Sequence, residues 1–268
     1  MHKDNTFLLN AHMDKSRTEI NKLGEFGLID HIKSRVNVYN PSTVLGIDDD
    51  AAIIDTGEEF TLISTDMLLE GVHFDLSYMP LQHLGYKAVV ANVSDIAAMN
   101  GIPTQITVSV GLSNRISVEA IDLLYEGIRA ACESYKVDLV GGDTTASSSG
   151  LVISITIVGT VRKGKEVRRS TAKNKDVLCV TGDLGAAYLG LLVLEREKQE
   201  FLANPDMQPE LKGYDYVVGR QLKPEARMDI VHELNDLKVI PTSMIDLSDG
   251  LASDVMHLCK QSGLGVQI

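Results

Sequence analysis

Apolar and polar positions alternate in blocks along the chain, and the blocks change period from two to about 3.6 and back. FTLIST (60–65) is β-branched and aromatic and predicts a strand ending at Asp66. Residues 80–100 predict a helix, with Pro80 in its first turn, Gly101 just past its end and Pro103 beyond. Residues 106–112 read as a strand. Ser117 can cap a helix over 118–134, whose apolar stripe is Ile121, Leu124, Tyr125, Ile128 and Cys132. Short and long strands follow at 137–140, running into Gly-Gly, and at 151–161. Beyond a charged stretch at 162–175, residues 177–180 predict a strand and 185–198 a helix. Pro205, Pro209 and Gly213 make 203–213 a loop, and Pro224 opens a helix reaching Leu237. Asp249 can cap a last helix over 250–261, with Leu251, Val255 and Leu258 on one face. The final four residues look like the start of another strand, so a C-terminal domain cut short is expected.

The alternation of strands and helices predicts an α/β protein: an α+β N-terminal domain followed by an α/β C-terminal one. The expected division is a loose leader at 1–18, a first domain over 19–162 and a second over 163–268. Composition narrows the function. At 268 residues and 44% hydrophobic there is ample core for two domains. The net charge of −12 is the wrong sign for a duplex nucleic-acid partner. Cys132, Cys179 and Cys259 are far apart and form no Cys-x-x-Cys pair, which predicts a reducing compartment without disulfides or zinc. No signal-like apolar segment and no 18-residue apolar run occur, so a cytoplasmic protein with no membrane partner is expected.

Five times an apolar run leads to aspartate among Gly, Ser, Thr or Ala: GIDDDAA (46–52), STDM (64–67), NVSDIAA (92–98), GGDTT (141–145) and DLSDG (246–250). Magnesium wants oxygen ligands, and takes a few carboxylates plus substrate phosphates instead of a full protein cage. Taken singly, each aspartate is equally a turn or cap residue, because its side chain bonds nearby backbone N–H groups. Asp48 reads as a solvated turn and Asp249 as either N-cap or ligand. Asp95 is harder to explain structurally: it falls in an apolar helix, where an unpaired buried carboxylate costs several kcal/mol. Three consecutive aspartates at Asp48, Asp49 and Asp50 repel one another, and a cation relieves that. His73 follows Asp66 closely and is either an edge histidine or a site residue.

Other phosphate-handling signatures are missing. GTVRKGKE (159–166) has P-loop spacing, but Glu166 stands at the hydroxyl position and no helix start follows, so 162–166 reads as a basic turn. No G-x-G-x-x-G follows a strand, GIDDDAA lacks EF-hand spacing, and the protein-kinase, G-x-S-x-G and H-E-x-x-H patterns do not occur.

The segments LGEFGLIDHI (23–32), GIDDDAA, STDMLLEGVHF (64–74), LGYKAVVANVSDIAAMNGIP (84–103), GGDTT and IDLSDGLASDVMH (245–257) together resemble the thiamine-monophosphate kinases. These belong to the superfamily of aminoimidazole ribonucleotide synthetase, selenophosphate synthetase and a hydrogenase-maturation protein. The resemblance implies that superfamily's fold, with an N-terminal sheet that builds a homodimer. It also implies ATP-dependent phosphorylation of thiamine monophosphate to thiamine diphosphate with several Mg²⁺ ions. Carried over by position, the metal ligands are Asp50, Ser64, Thr65, Asp66, Asp95, Asp143, Asp246 and Asp249. The ATP contacts are Tyr125, Gly142, Asp143, Arg169 and Ser248, and His73 contacts the substrate. The acceptor is a phosphate, so no residue is assigned as a general base. Asp48 departs from the family's Gly-Ile-Gly-Asp-Asp, and the family's last substrate contacts fall beyond Ile268. The alternatives are a sibling ATP-dependent synthetase of the superfamily or a non-catalytic nucleotide-binding paralogue.

Overall fold

The computed structural model describes residues 20–268; the expected leader at 1–18 lies outside them. The chain divides into two compact units, the first ending at Pro41 and the second running Ser42–Ile268. In the first, a 3₁₀ turn (Ile20–Lys22) precedes helix α1 (Gly24–Lys33). The second holds six strands: β1 (Thr43–Leu45), β2 (Ala52–Asp55), β3 (Glu59–Leu69), β4 (Ile102–Leu112), β5 (Asp138–Ala146) and β6 (Val152–Arg162). Its helices are α2 (Leu81–Ala98), α3 (Val118–Tyr135), α4 (Ala186–Ala203), α5 (Asp215–Leu222), α6 (Met228–Asp236) and α7 (Leu251–Ser262). Among the described residues no helix is long and apolar enough to cross a membrane.

The strands form one sheet in the order β1-β2-β3-β6-β4-β5. All neighbours are antiparallel except β4 and β5, which run parallel and are joined through α3 as a crossover unit. Residues alternate between faces along β6, so Ile153, Ile155 and Ile157 are buried while their neighbours are half-exposed. Helix α2 covers that buried face through Val89, Val93 and Ile96, and α3 packs on α2. The two helices approach closely because glycines meet at the crossing. A Cβ on Gly127 would come within 1.8 Å of the Gln82 carbonyl oxygen, and one on Gly85 within 2.0 Å of that of Leu124. The buried cluster continues into α4, α5 and α6 through Val193, Leu194, Val218, Leu222 and Val231.

Ser117 caps α3 as expected, accepting from the Ala120 amide at 3.2 Å. Elsewhere the structure corrects the sequence reading. Strand β3 runs on to Leu69, because β6 pairs with it along its whole length, so Asp66 lies within a strand and not at its end. GGDTT lies inside β5 for the same reason: β4 pairs with it as far as Ala146. Asn100 (φ 59°), not Gly101, takes the left-handed position after α2. Gly101 is required for packing, since a Cβ there would lie 2.4 Å from Leu62 Cδ1. Pro103 sits within β4 at a register shift, where a missing N–H is tolerated. Residues 177–180 form no strand, and residues 264–268 are likewise irregular. Helix α5 is absent from the sequence reading: it lies between the prolines that marked the loop and Pro224, and it is short and only weakly apolar.

Candidate functional site

Helix α2 places two neighbouring side chains toward the site. Asp95 accepts a 2.6 Å hydrogen bond from the Ser64 hydroxyl on β3, and Ser94 bonds Asp246 in the segment before α7. Ser64 and Asp66 share the helix-covered face of β3 because they are two residues apart. One carboxylate oxygen each of Asp50, Asp95 and Asp246 lies within 4.8 Å of the others. These residues are 45 and more positions apart in sequence, and only the fold brings them together.

Burial and crowding keep protons on this cluster. Burial, then the charges of Asp66 and Asp246, push Asp95 up to about 9 against the opposing Ser64 bond. Asp50 rises to about 6 through burial, opposed by the Arg169 guanidinium. Asp246 also reaches about 6, through burial and then the charge of Asp50, with the Ser94 bond opposing. Asp66 is raised by burial and then by Asp246, while His73 pulls it down. A buried carboxylate (Asp50) and half-buried ones (Asp66, Asp95 and Asp246) that resist simultaneous ionisation, beside a serine hydroxyl, form an all-oxygen donor set suited to a hard divalent cation.

Arg169, in a 3₁₀ turn (Arg169–Thr171), reaches into the cluster. Its Nε donates to Asp50 Oδ2 at 3.0 Å and its Nη2 donates to Asp50 Oδ1. Its backbone amide donates to Asp49 Oδ2 at 3.1 Å, and its carbonyl accepts from Ser243 (2.9 Å) and Ser262 (2.8 Å). Asp49 also accepts from the Asp50 amide at 3.0 Å. Asp48 is exposed and adopts no positive φ, so aspartate fits there without strain; its carbonyl accepts from Gln261 at 2.8 Å.

The remaining nominated residues lie outside the three-carboxylate group, His73 near enough to act on Asp66. The Thr65 hydroxyl faces the opposite side of the sheet, donating to the Ile155 carbonyl and accepting from Thr156, both at 3.1 Å. Tyr125, Gly142 and Asp143 meet in a cleft of about 480 Å³ between α3 and β5, with Val108, Leu139, Gly141 and Thr144. Gly142 is obligatory in it, because a Cβ would lie 1.8 Å from the Val108 carbonyl oxygen. Ser248 and Asp249 are exposed just before α7. The cap reading of Asp249 does not hold: Gly250 is the N-cap, and its amide donates to Asp254 at 3.1 Å. His73 Nδ1 accepts from the Leu69 amide at 3.1 Å, so in the neutral ring Nε2 carries the proton. Asp49 and Ser94 escaped the sequence reading. Each sits beside a nominated aspartate, and adjacency alone does not separate ligand from support.

Residues 48–161, which carry most of the sheet and its covering helices, match the family described as AIR synthase related protein, N-terminal domain. The chain is 34% identical over 247 residues to the thiamine-monophosphate kinase of Bacillus subtilis, covering 92% of this chain and 73% of that one. To that of Aquifex aeolicus it is 38% identical over 250 residues, covering 93% and 74%. The chain belongs to the thiamine-monophosphate kinase family. A solved structure, AaThiL complexed with AMPPCP and TMP, matches with a TM-score of 0.77 at 33% identity over 92% of this chain and 73% of that one. The HypE–HypF complex shares the fold at a TM-score of 0.64 and 19% identity, covering 88% and 70%.

Proposed function

We propose that this chain transfers the γ-phosphoryl group of ATP to the phosphate of thiamine monophosphate, forming thiamine diphosphate and ADP. The observation that carries the reading is the meeting of Asp50, Asp95 and Asp246, with Asp66 beside them, in a member of this family. A solved relative complexed with AMPPCP and TMP supports the two substrates.

The residues divide the work by position. Asp50, Ser64, Asp66, Asp95 and Asp246 would hold Mg²⁺, and Asp143 and Asp249 would hold it as further ligands on the family resemblance alone. Thr65 could contribute only through its main chain. Bound there, Mg²⁺ supplies charge neutralisation and a template between carboxylates and phosphates. Arg169 offers a planar fork to the phosphates, and Tyr125, Gly142, Asp143 and Ser248 contact the nucleotide. The Nε2–H of His73 donates to the acceptor substrate. That acceptor is an oxygen already ionised at neutral pH, so positioning and electrostatics suffice and no side chain acts as a base.

The same reading makes the protein a cytoplasmic homodimer. A second copy would lie on the sheet face opposite α2, where Met67 is 55% exposed. The same reading assigns nucleotide and metal binding to 19–162 and substrate covering to 163–268, a functional division within a core that runs on from the sheet into α4, α5 and α6. The protein is incubated with ATP, Mg²⁺ and thiamine monophosphate while phosphorus resonances are followed by NMR. New diphosphate resonances together with ADP are expected. ATP turnover only with an amidine or selenide acceptor would replace this reading with a sibling activity.

A further inference from the structure

We propose that Arg169 is a built-in counter-cation for Asp50 that is exchanged for a divalent ion when the Asp50–Asp95–Asp246 cluster is loaded. The proposal rests on the metal reading above and concerns what the arginine does to it.

The Asp50 side chain has no exposed surface, and the Arg169 fork takes both of its oxygens. A Mg²⁺ ligand must offer a lone pair at about 2.0–2.1 Å. The bidentate fork takes one lone pair on each oxygen, so a cation on the remaining lone pairs would sit directly against the guanidinium charge. Two cations at one buried carboxylate also repel, and burial of Asp50 weakens the screening between them.

The backbone of Arg169 is fastened on both sides, while its side chain is held through the guanidinium, by Asp50 and by Asp49 at 3.7 Å. The amide is held by Asp49, and the carbonyl by Ser243 and Ser262. The side chain keeps 17% of its surface exposed, whereas the Asp50 side chain keeps none. Exchange is therefore a rotamer change and leaves the 3₁₀ turn in place. Asp49 bonds the amides of both Arg169 and Asp50, and so sets the two partners opposite each other. Once released, the fork has the geometry to take phosphate oxygens in two-point contact. Cation loading and phosphate capture are thereby coupled through one side chain.

Two measurements without nucleotide test this. Mn²⁺ binding is followed by electron paramagnetic resonance in the wild type and in Arg169→Gln and Arg169→Lys. Glutamine removes both the fork and the charge and is expected to bind Mn²⁺ about tenfold tighter, whereas lysine removes only the fork, keeps the repelling charge, and is expected to gain less. In the unmodified protein, phenylglyoxal labelling of Arg169, read by peptide mapping, is expected to rise as Mn²⁺ is added. This second measurement stands even if the variants fail to fold, which circular dichroism reports. Unchanged Mn²⁺ affinity in folded variants, or flat labelling across a titration that saturates Mn²⁺, overturns the exchange alone. No Mn²⁺ binding by any form removes the metal reading and the exchange with it.

Discussion

Asp66 on β3 shows how one residue can be legible in sequence and still misplaced. The motif STDM marks it, yet its position mid-strand, facing α2, follows from the pairing of Asp66 with Ile155 on β6. Its carboxyl is raised by burial and by Asp246, so Asp66→Asn removes a charge that strains the cluster. The expected outcome is a drop in Mg²⁺-dependent turnover of at least about 10²-fold. The melting temperature should be equal to or above that of the wild type. Wild-type rates in that variant would remove Asp66 from the metal set. Asp249 shows the opposite case. Sequence left it between cap and ligand, and in the structure the Gly250 amide at the helix start is taken by Asp254, five residues on. Spacing cannot distinguish the two, because one lies just before the helix start and the other within its first turns.

At the scale of elements, the α2–α3 crossing is the most demanding piece of packing. Gly85 and Gly127 each lie against the other helix's backbone, with no flexible side chain to yield. Gly127→Ala gains helix propensity of about 1 kcal/mol, but it pushes a methyl onto the Gln82 carbonyl. Overpacking of this kind costs about 1–3 kcal/mol or more, so net destabilisation is expected in urea unfolding. Stabilisation would mean that the helices can part freely. Because α2 carries Ser94 and Asp95, the same substitution should also weaken Mn²⁺ binding. Ser117→Ala removes a single cap bond on α3 and should cost about 1 kcal/mol, with no effect on metal binding. The apolar stripe of α3 and its cap were legible because both are local. Helix α5 and the irregular segment 177–180 were not, since packing on α4 settles the one and lack of a pairing partner the other.

For the whole molecule, the cluster ties stability to pH and to divalent ions. Asp50 and Asp246 titrate near 6 and Asp95 near 9, all raised from 3.8. The folded state therefore holds more protons than the unfolded one between these limits, and stability should fall as pH rises through them. Calorimetry in EDTA is expected to give a lower melting temperature at pH 8.5 than at pH 5.5, with this cluster as the cause. Mg²⁺ should then raise the melting temperature more at pH 8.5, where protons no longer compete. A larger Mg²⁺ effect at the acid end would contradict the assignment. The sequence by itself determined the α/β class, the capped helix α3 and the five aspartate motifs, because propensity, capping and local spacing are short-range. It also carried the family resemblance, because that lies in ordered residues. Only the tertiary structure decided that Asp50, Asp95 and Asp246 share one site, that Thr65 faces away, and that Arg169 grips Asp50. Those facts depend on strand register and helix packing between residues far apart in the chain, which no local pattern encodes.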